Sequence, residues 1–306
     1  MAKIKKVLKF MKILITGANG FIGKALFNFF VSEGFNVRAA VRLEKKLNQL
    51  SAGIEKVCVG DVGPQTDWSA ALEGIDVVVH LAARVHIMRD EAKDPLSEYR
   101  RVNVEGTRQL ARMAMAAGVK RFVFLSTIKV NGEETGIDRP FTEKDAPNPQ
   151  DDYALSKWEA EKVLQDTPSQ GGLEVVILRV PLVYGPGVKA NFRKLINISG
   201  LPLPLKGIVN SRSFIFLDNL TDVIKVSITH PLAAGETFLV SDGQDVSTPD
   251  LIRKIAAAKK RTAKLFFLPP TFLKILAKAA GREKAFRRLT GSLVVDSGKI
   301  RNVLGW

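Results

Sequence analysis

The chain has 306 residues, of which 46% are hydrophobic, and its formal net charge is +15 at pH 7. This length suits one large α/β domain, or a dinucleotide-binding domain with a smaller lobe, and the hydrophobic content allows a sizeable core. No run of about 18 uncharged apolar residues occurs, which argues against a membrane-spanning helix. The single cysteine, Cys58, rules out an internal disulfide bond and favours a reducing, cytoplasmic location.

The positive charge is spread along the chain without an aromatic-interleaved patch or a nucleic-acid motif, so it favours anionic small-molecule ligands over nucleic acid. Residues 265–278 combine apolar and basic side chains. They could contact a membrane surface, but the favoured interpretation is a lobe helix that buries its apolar face. Residues 1–10 are interpreted as a basic N-terminal extension, because Met11 directly precedes the first predicted strand and no signal-peptide pattern is present.

In chain order, short apolar runs alternate with segments of helical spacing. The predicted strands are Lys12–Thr16, Asn36–Val41, 56–60, 77–81, 122–126 and 174–179, and the predicted helices are Phe21–Ser32, 95–117 and 152–167. This alternation predicts an α/β fold, a Rossmann-type doubly wound parallel sheet with helices on both faces. Residues 11–180 are assigned to an NAD(P)-binding domain. Residues 181–306 are assigned mainly to a smaller C-terminal substrate lobe, with room for later segments to return to the first domain.

A glycine-rich turn links the first predicted strand to the first predicted helix. Gly17 permits a tight turn, Gly20 lets the backbone approach a pyrophosphate, and Gly23 lets the helix pack on the strand. The start of the helix offers unpaired N–H groups and a partial positive charge to phosphates. The turn therefore predicts a dinucleotide site, and the contacts expected from it are Gly17, Asn19, Gly20, Phe21, Ile22 and Gly23.

The residues after the second predicted strand bear on whether the cofactor is NAD or NADP. Dinucleotide sites commonly carry an acidic residue there for the ribose 2′-hydroxyl, whereas this chain has Arg42, followed by Lys45 and Lys46. Arg42 can pair with a 2′-phosphate or stack on adenine, which slightly favours NADP over NAD. The alternative is that these basic residues lie at the start of a helix and have no role in binding the cofactor. Asp61 and Val62 are predicted to contact the adenine, with a simple loop aspartate as the alternative.

A second group of residues carries chemistry. Ser126 and Thr127 follow the strand at 122–126, and Tyr153 and Lys157 lie on one face of the next predicted helix. The Lys157 ammonium and an oxidised nicotinamide are expected to lower the pKa of Tyr153 from its ordinary value of about 10. Tyr153 is then predicted to take a proton from a substrate hydroxyl, or to protonate a carbonyl in reverse. Thr127 would hold that oxygen, and Lys157 would also orient the cofactor ribose.

These motifs resemble the extended short-chain dehydrogenase/reductase family, in its NAD-dependent nucleotide-sugar epimerase/dehydratase branch, over nearly the whole chain from Met11. The resemblance also rests on three further motifs, which are His80-Leu81-Ala82-Ala83, Asn103-Val104-Glu105-Gly106-Thr107 and Val183-Tyr184-Gly185-Pro186. It implies cofactor contacts by Leu81, Ala82, Ala83, Asn103 and Pro181. In the second lobe it implies substrate contacts by Asn191 and by Arg212, whose guanidinium suits a diphosphate. The alternative for Arg212 is a structural salt bridge. No metal site is expected.

The chain departs from the family pattern at three places. Val130-Asn131-Gly132 stands where 4-epimerases usually have Val-Tyr-Gly, Leu182 stands at a substrate-facing asparagine, and Ile128-Lys129 lacks the Asp-Glu pair of 4,6-dehydratases. The detailed pattern is most similar to bacterial UDP-N-acetyl-quinovosamine-type 4-dehydrogenases. These reduce a UDP-4-keto-6-deoxy-HexNAc during surface-polysaccharide synthesis.

The sequence thus predicts an NAD(P)-dependent enzyme acting at C4 of a UDP-sugar, with a reductase preferred and a UDP-glucose or UDP-GlcNAc 4-epimerase as the alternative. A reductase of non-nucleotide carbonyls, such as steroids or flavonoids, and a non-catalytic NAD(P)-binding regulator are more remote alternatives. The resemblance also implies a homodimer that forms through a four-helix contact of the helices at 95–117 and 152–167.

Overall fold

The structure is a computed structural model, and it describes residues 11–44, 55–85, 92–167, 172–188 and 190–306. The described residues form nine strands: β1 (Lys12–Thr16), β2 (Asn36–Val41), β3 (Glu55–Cys58), β4 (Val77–His80), β5 (Arg121–Thr127), β6 (Glu174–Val180), β7 (Leu182–Tyr184), β8 (Phe214–Phe216) and β9 (Thr237–Leu239). Seven of them form a parallel sheet in the order β3-β2-β1-β4-β5-β6-β9. This order confirms the predicted Rossmann-type fold. It reverses between β1 and β4, where open α/β sheets form a crevice outside the carboxyl ends of their strands.

Helices connect these strands and cover the sheet. The α-helices are α1 (Phe21–Ser32), α2 (Ser69–Leu72), α3 (Pro95–Tyr99), α4 (Gly106–Ala116), α5 (Asp152–Gln165), α6 (Ala190–Ile198), α7 (Leu217–Thr229), α8 (Thr248–Ala258), α9 (Pro270–Ala279), α10 (Glu283–Thr290) and α11 (Gly298–Leu304). No helix among the described residues is both long enough and apolar enough to span a membrane.

The core lies on both faces of the sheet because successive strand residues point to opposite faces. On one face, Ile13 and Ile15 of β1 pack with side chains of α1, α7 and α11. On the other, Leu14 packs with side chains of α2, α4 and α5, around the fully buried Trp68. Burial on both faces explains why the strands are almost continuously apolar. It also fixes the strand ends that carry the candidate site.

The second lobe is built from shorter elements. β7 and β8 form a separate parallel pair. A small apolar cluster around Leu205, Ile208 and Ile252 joins α8 to the loops beside it, with Leu273 of α9 packed at its edge. β9 lies late in the chain but pairs with β6, so the chain returns to the central sheet after residue 180.

The predicted helix at 95–117 differs from the observed structure. α3 and α4 are separated by a π-helical segment, Arg100–Glu105, which contains Asn103. Gly106 follows it at a close approach, since a Cβ atom there would lie 2.6 Å from Val62 Cγ1. Helical spacing of apolar residues does not distinguish a π turn from continuous α-helix, and π turns are often found at functional sites.

Candidate active site

The glycine turn has the geometry of a phosphate cradle. Gly17 has φ +66°, and a Cβ atom there would lie 2.9 Å from the backbone nitrogen of Ala82. A Cβ atom on Gly23 would lie 2.1 Å from Gly17 O, so only glycine allows this contact between helix and turn. Gly20 caps α1 without a side-chain hydrogen bond, and the first turn of α1 contains no acidic residue. The helix start therefore offers its N–H groups and its partial positive charge to an anion.

A hydrogen-bonded chain joins β1, β4 and α4 behind this turn. Thr16 Oγ1 accepts bonds from the N–H groups of Leu81 and Ala82 at 3.1 Å each. Its proton is therefore directed to His80 Nδ1, 2.7 Å away, and His80 Nε2–H donates to Thr107 Oγ1 at 3.1 Å. Burial, with a smaller contribution from Lys157, lowers the pKa of His80 to about 3. His80 is thus neutral and holds the segment after β4 in place.

Asn103 connects that segment to α5. Its side chain accepts from Arg84 N at 2.8 Å and donates to Arg84 O at 3.0 Å. The same amide donates to Ser156 Oγ at 2.9 Å, and Ser156 Oγ donates to the carbonyl of Tyr153 at 2.8 Å. The predicted cofactor residue Asn103 is therefore buried and positions backbone groups on both sides of the crevice.

Arg42 and Asp61, the two residues predicted at the adenine end, lie beside each other. Arg42 Nε is 3.6 Å from Asp61 Oδ1, and both side chains are exposed. An exposed ion pair of this length is weak and can be opened by a ligand. Lys45 and Lys46 lie outside the described residues.

Tyr153 lies in the first turn of α5, whose N-terminus is capped by Asp151 accepting from Ala154 N at 2.8 Å. Its ring meets the Tyr99 ring edge-on at a centroid distance of 6.3 Å. Desolvation raises the pKa of Tyr153, and Asp151 and Tyr99 act in the same direction. This direction is opposite to the lowering expected from Lys157 and a bound oxidised nicotinamide, because removal from water disfavours the phenolate and the two neighbouring side chains add to that effect. A phenolate at Tyr153 therefore needs a cation close to it.

Lys157, one turn further along α5, is a buried cation with a 2% exposed surface. Its Nζ lies 3.7 Å from the centroid of the Phe124 ring. No other described residue accepts a hydrogen bond from it. Desolvation lowers the pKa of Lys157 to about 7, against a smaller raising effect of Glu161. The side chain is thus held close to its protonation midpoint near neutral pH.

Glu161, another turn along the same helix, anchors α5 to the sheet. Its carboxylate, fully buried, accepts a short hydrogen bond from Ser126 Oγ. It also pairs with Arg179 of β6, with Nη2 2.6 Å from Oε2. Arg179 Nη1 in turn donates to Asn131 Oδ1 at 3.0 Å, and Asn131 donates to Thr142 O at 3.0 Å. This network fixes α5 against the carboxyl ends of β5 and β6.

The sequence pattern alone does not indicate the roles of Glu161, Arg179 and Asn131. The spacing of Tyr153, Lys157 and Glu161, each four residues apart, places all three on one helix face. Glu161 lies on a helix face that is expected to be buried, and a buried carboxylate needs a partner of opposite charge. This was the sequence signal that could have indicated an ion pair. The identity of that partner depended on strand register, which the sequence pattern did not give.

Thr127 is the last residue of β5 and is 8% exposed. Its Oγ1 accepts a bond from Lys129 N at 3.3 Å and caps the short 3₁₀ turn Ile128–Val130. α5 packs against both β5 and this turn. Thr127, Tyr153 and Lys157 are therefore carried by two elements that contact each other at the edge where β1 and β4 also end.

In the second lobe, Arg212 Nη1 donates to Gly291 O at 2.8 Å. Desolvation lowers the pKa of Arg212, opposed by Glu134 and Glu133, and Arg288 adds to the lowering. The guanidinium thus has a structural contact, and its predicted role toward a diphosphate stays a prediction. Asn191 lies in α6, but the prediction for it concerns a side chain outside the described residues. The remaining predicted cofactor residues, Val62, Leu81, Ala83 and Pro181, lie on the segments that follow β3, β4 and β6.

Comparison with known proteins agrees with this architecture. The sequence profile of the "NAD dependent epimerase/dehydratase family" matches residues 13–241. A Vibrio cholerae protein named UDP-glucose 4-epimerase is 43% identical over 298 residues, covering 96% of this chain and 90% of the relative. A second relative, the N-acetyl-alpha-D-glucosaminyl-diphospho-ditrans,octacis-undecaprenol 4-epimerase of Escherichia coli O157:H7, is 28% identical, covering 84% of this chain and 75% of the relative.

Among solved structures, the UDP-glucuronic acid 4-epimerase from Bacillus cereus in complex with NAD superposes with a TM-score of 0.76. It is 24% identical, and the match covers 97% of this chain and 93% of that one. At this identity the structural match supports the fold alone. The fold and the arrangement of Tyr153 and Lys157 define an enzyme of the short-chain dehydrogenase/reductase type. The profile match over most of the chain goes further, and the chain belongs to the NAD dependent epimerase/dehydratase family.

The residues present fit the nicotinamide dinucleotide that this family uses. A Cβ atom at Gly17 would lie 2.9 Å from Ala82 N and one at Gly20 would lie 3.1 Å from Gly17 O, so the turn keeps its close backbone contacts only with glycine. Gly20 also provides no side-chain cap for the N–H groups at the start of α1. The buried Lys157 ammonium likewise lacks a carboxylate at hydrogen-bond distance among the described residues. Gly17, Gly20 and Gly23 would hold the diphosphate, and Lys157 would donate to the ribose hydroxyls.

Proposed function

We propose that this enzyme is a nucleotide-sugar 4-epimerase, which removes the hydrogen at C4 of a UDP-hexose as hydride and returns it to the opposite face. The observation that carries this proposal is the 43% identity to the UDP-glucose 4-epimerase of Vibrio cholerae, which extends over 96% of the chain. The grouping of Thr127, Tyr153 and Lys157 supports it, because the reaction needs one proton acceptor and one cation at the same oxygen.

In the proposed mechanism, Tyr153 holds the proton at the C4 oxygen. Its phenol takes that proton as the hydroxyl becomes a carbonyl and returns it when the carbonyl is reduced. Desolvation opposes the phenolate, so the Lys157 ammonium, on the same helix face, stabilises it. When bound, the nicotinamide serves as the hydride acceptor and then as the hydride donor.

Thr127 holds the same oxygen through its hydroxyl, and Glu161 keeps the helix in register with the sheet. A hydroxyl can both donate and accept, so Thr127 can follow the oxygen from alcohol to carbonyl. The ion pair of Glu161 with Arg179 fixes the helix that carries Tyr153 and Lys157. Precise positioning of reacting groups accounts for a large part of enzymatic rate enhancement.

A second candidate is a reductase of a UDP-4-keto-6-deoxy-HexNAc, the preferred interpretation of the sequence pattern. Two observations favour it. Asn131 stands where 4-epimerases usually carry tyrosine, and its amide is committed to Arg179 and to Thr142 O. Leu182, in place of a substrate-facing asparagine, is 41% exposed. Both replacements change residues of the family pattern without changing the chemistry of Tyr153 and Lys157.

Two incubations separate these candidates. In the first, the purified enzyme is given UDP-glucose or UDP-GlcNAc, and the 4-epimer is measured by NMR. In the second, it is given a UDP-4-keto-6-deoxy-HexNAc with NADH or NADPH, and nicotinamide absorbance is followed. Formation of the 4-epimer without net absorbance change supports the epimerase. Stoichiometric loss of absorbance with no epimer in the first incubation replaces it with the reductase. No reaction in either incubation would contradict both and favour the non-catalytic regulator.

Cofactor choice and assembly are further parts of the proposal. Arg42, directly after β2, supports use of NADP, whereas its ion pair with Asp61 is compatible with NAD, which has no 2′-phosphate for Arg42 to bind.

A homodimer is proposed through α3, α4 and α5, whose exposed sides would form the four-helix contact. Light scattering on the eluting protein would measure the mass, and a monomer at all concentrations would contradict the dimer.

A further inference from the structure

The helix α9 and the segments beside it expose apolar side chains that the sequence analysis expected to be buried. α9 contains no buried residue. Phe272, Ile275 and Leu276 are 50%, 64% and 49% exposed, and Phe267, just before the helix, is 63% exposed. We call this set, together with Phe266, the apolar face.

The geometry of α9 explains why these side chains share one side. Phe272, Ile275, Leu276 and Ala279 follow the spacing i, i+3, i+4 and i+7, which places them in one stripe along the helix. Leu273 lies outside this stripe and packs against the lobe cluster around Leu205 and Ile252. The helix is therefore attached to the lobe by Leu273 and presents its larger apolar side outward.

The surroundings of the apolar face are strongly positive. Residues 259–290 contain ten lysines and arginines and a single acidic residue, Glu283. All ten basic side chains are exposed. This segment therefore carries a net charge of +9, more than half of the +15 of the whole chain. Among the described residues, two of its arginines reach a carboxylate, Arg287 at 3.5 Å from Glu283 and Arg288 at 3.7 Å from Glu133.

We propose that the apolar face docks on an anionic lipid bilayer and holds the enzyme at a membrane surface. An amphipathic helix with large apolar residues on one side and lysines beside them is the pattern of helices that lie in the interface plane. Positive charge on the flanks matches the negative surface of such a bilayer, while the apolar side chains enter the boundary of the acyl chains.

Charge argues against the other occupants of this surface. A second copy of the chain would bring two segments of net charge +9 together, and like charges oppose that contact. Nucleic acid would accept the lysines and arginines. It would offer no apolar partner for Ile275 and Leu276, since bases stack on aromatic rings rather than on branched aliphatic chains. The bilayer satisfies both the charge and the apolar area.

The experiment is co-sedimentation of the full chain with vesicles of equal parts phosphatidylglycerol and phosphatidylcholine, compared with vesicles of phosphatidylcholine alone. We expect binding to the anionic vesicles that weakens as salt is added. The double variant Ile275→Ser with Leu276→Ser is expected to bind more than about tenfold more weakly, because two apolar side chains no longer enter the lipid. The control is Leu232→Ser, which changes an exposed apolar residue just before β9 and should bind as the wild type does.

The charge contribution is tested separately. Lys278→Gln removes one positive charge beside Ile275, three residues earlier on the helix, and should weaken binding about fivefold. Lys120→Gln removes an exposed charge elsewhere and should leave binding unchanged. Thermal unfolding in vesicle-free buffer serves as the folding control for all four variants.

Several outcomes would overturn the proposal. They are equal binding to both kinds of vesicle, no binding to either, and equal loss in the test and control variants. Two further outcomes would show that the apolar face binds a second copy of the chain or nucleic acid instead of lipid. The Ile275→Ser with Leu276→Ser variant could abolish a concentration-dependent dimer seen by light scattering, or abolish retention on a nucleic-acid column, with vesicle binding absent. The readout is binding, so failure of the proposed C4 chemistry would leave this result unaffected.

Discussion

The helices α5 and α9 distribute charge and apolar surface in opposite ways. α5 buries Lys157 and Glu161, two ionisable side chains that ordinarily remain in water. α9 exposes Phe272, Ile275 and Leu276, which ordinarily leave it. In α5 each buried charge has a compensating group, Phe124 for Lys157 and Arg179 for Glu161. The apolar residues of α9 are not covered by other described residues. The unusual side chains of α5 therefore have partners within the chain, whereas those of α9 do not have them among the described residues.

This contrast separates two kinds of unusual surface. Burial of a charge is costly, and it persists where the site needs a group of shifted pKa or a fixed position. Exposure of a large apolar patch costs less in the folded chain, but it marks a surface that contacts something else. The predictions below test each side, beginning with the largest expected effect.

Tyr153→Phe is the strongest test of α5. It removes the phenol oxygen and leaves the ring and its packing on Tyr99, so turnover should fall by about 10²–10⁴-fold. Binding of NAD(H), followed by fluorescence, should change little, which shows that the loss is chemical. Unchanged turnover on every UDP-sugar that the wild type accepts would revive the interpretation of a non-catalytic regulator.

Glu161→Gln tests the buried charge network directly. It leaves Arg179 buried beside a neutral group, and breaking a buried pair in this way costs about 3–5 kcal/mol of stability. Thermal unfolding measures the change as a lower Tm. Glu159→Gln, on the same helix, interrupts the more exposed pair with Arg100 and should cost about 1 kcal/mol or less. Equal effects of the two substitutions would show that burial does not decide the contribution.

Lys157→Met tests the buried cation through the pH dependence of the stability difference between the variant and the wild type. The pKa of Lys157 is about 7 in the folded chain and its ordinary value is 10.5. Between these values the unfolded chain binds more protons, so this group makes the wild type more stable as pH rises from 7 toward 10.5. The penalty of burying the ammonium is fully present below pH 7. The variant should therefore gain stability over the wild type at pH 6, on the order of 5 kcal/mol, and lose most of that gain by pH 10.

Thermal unfolding at both pH values checks this prediction. The variant should also lose turnover, because the cation that stabilises a Tyr153 phenolate is gone. A Tm difference that does not change with pH would show that Lys157 is as solvated in the folded chain as in the unfolded one.

Arg42→Ala extends the test to the cofactor. If Arg42 pairs with a 2′-phosphate, its loss should weaken NADPH binding about tenfold and leave NADH binding unchanged, since a charged hydrogen bond contributes about 1.5–3 kcal/mol before solvent screening. Titration of both reduced cofactors by fluorescence measures the ratio. An equal effect on the two would assign Arg42 to adenine stacking, and no effect on either would leave it as a surface residue paired with Asp61.

The smallest effect is expected on α9. Ile275→Ser with Leu276→Ser should change the free energy of unfolding by no more than about 0.5 kcal/mol for each residue, because both side chains are exposed. Leu273→Ser, on the attached side of the same helix, should cost more. Urea unfolding of the three chains measures this. A large loss in the double variant would mean that the apolar face packs on the enzyme itself.

Much of α5 was predictable from sequence, and α9 was not. The Tyr153–Lys157 spacing and the position of Thr127 after β5 follow from local periodicity, which indicates the strand and the helix face. The partners of Glu161 depend on parallel register between β5 and β6, which is set by the whole sheet. The π turn at Arg100–Glu105 retains helical apolar spacing and leaves no separate signal.

For α9, the pattern identified an amphipathic helix correctly. The favoured interpretation, that its apolar side is buried, was wrong because Leu273 packs against a small cluster while Phe272, Ile275 and Leu276 stay exposed. An amphipathic pattern specifies that one side avoids water, but it does not specify what covers that side. The basic residues around it were the clue, since a helix that packs on its own protein needs few of them.

The central claim is that hydride moves at C4 of the sugar under the control of Tyr153. UDP-glucose labelled with deuterium at C4 tests it most directly, with UDP-glucose labelled at C5 as the control. If hydride moves at C4, the 4-epimer formed retains its deuterium at C4 and the C5 label is retained. The Tyr153→Phe variant forms little product from either labelled substrate. Loss of the C4 label to water, or loss of the C5 label, would show proton removal from carbon and would contradict the account.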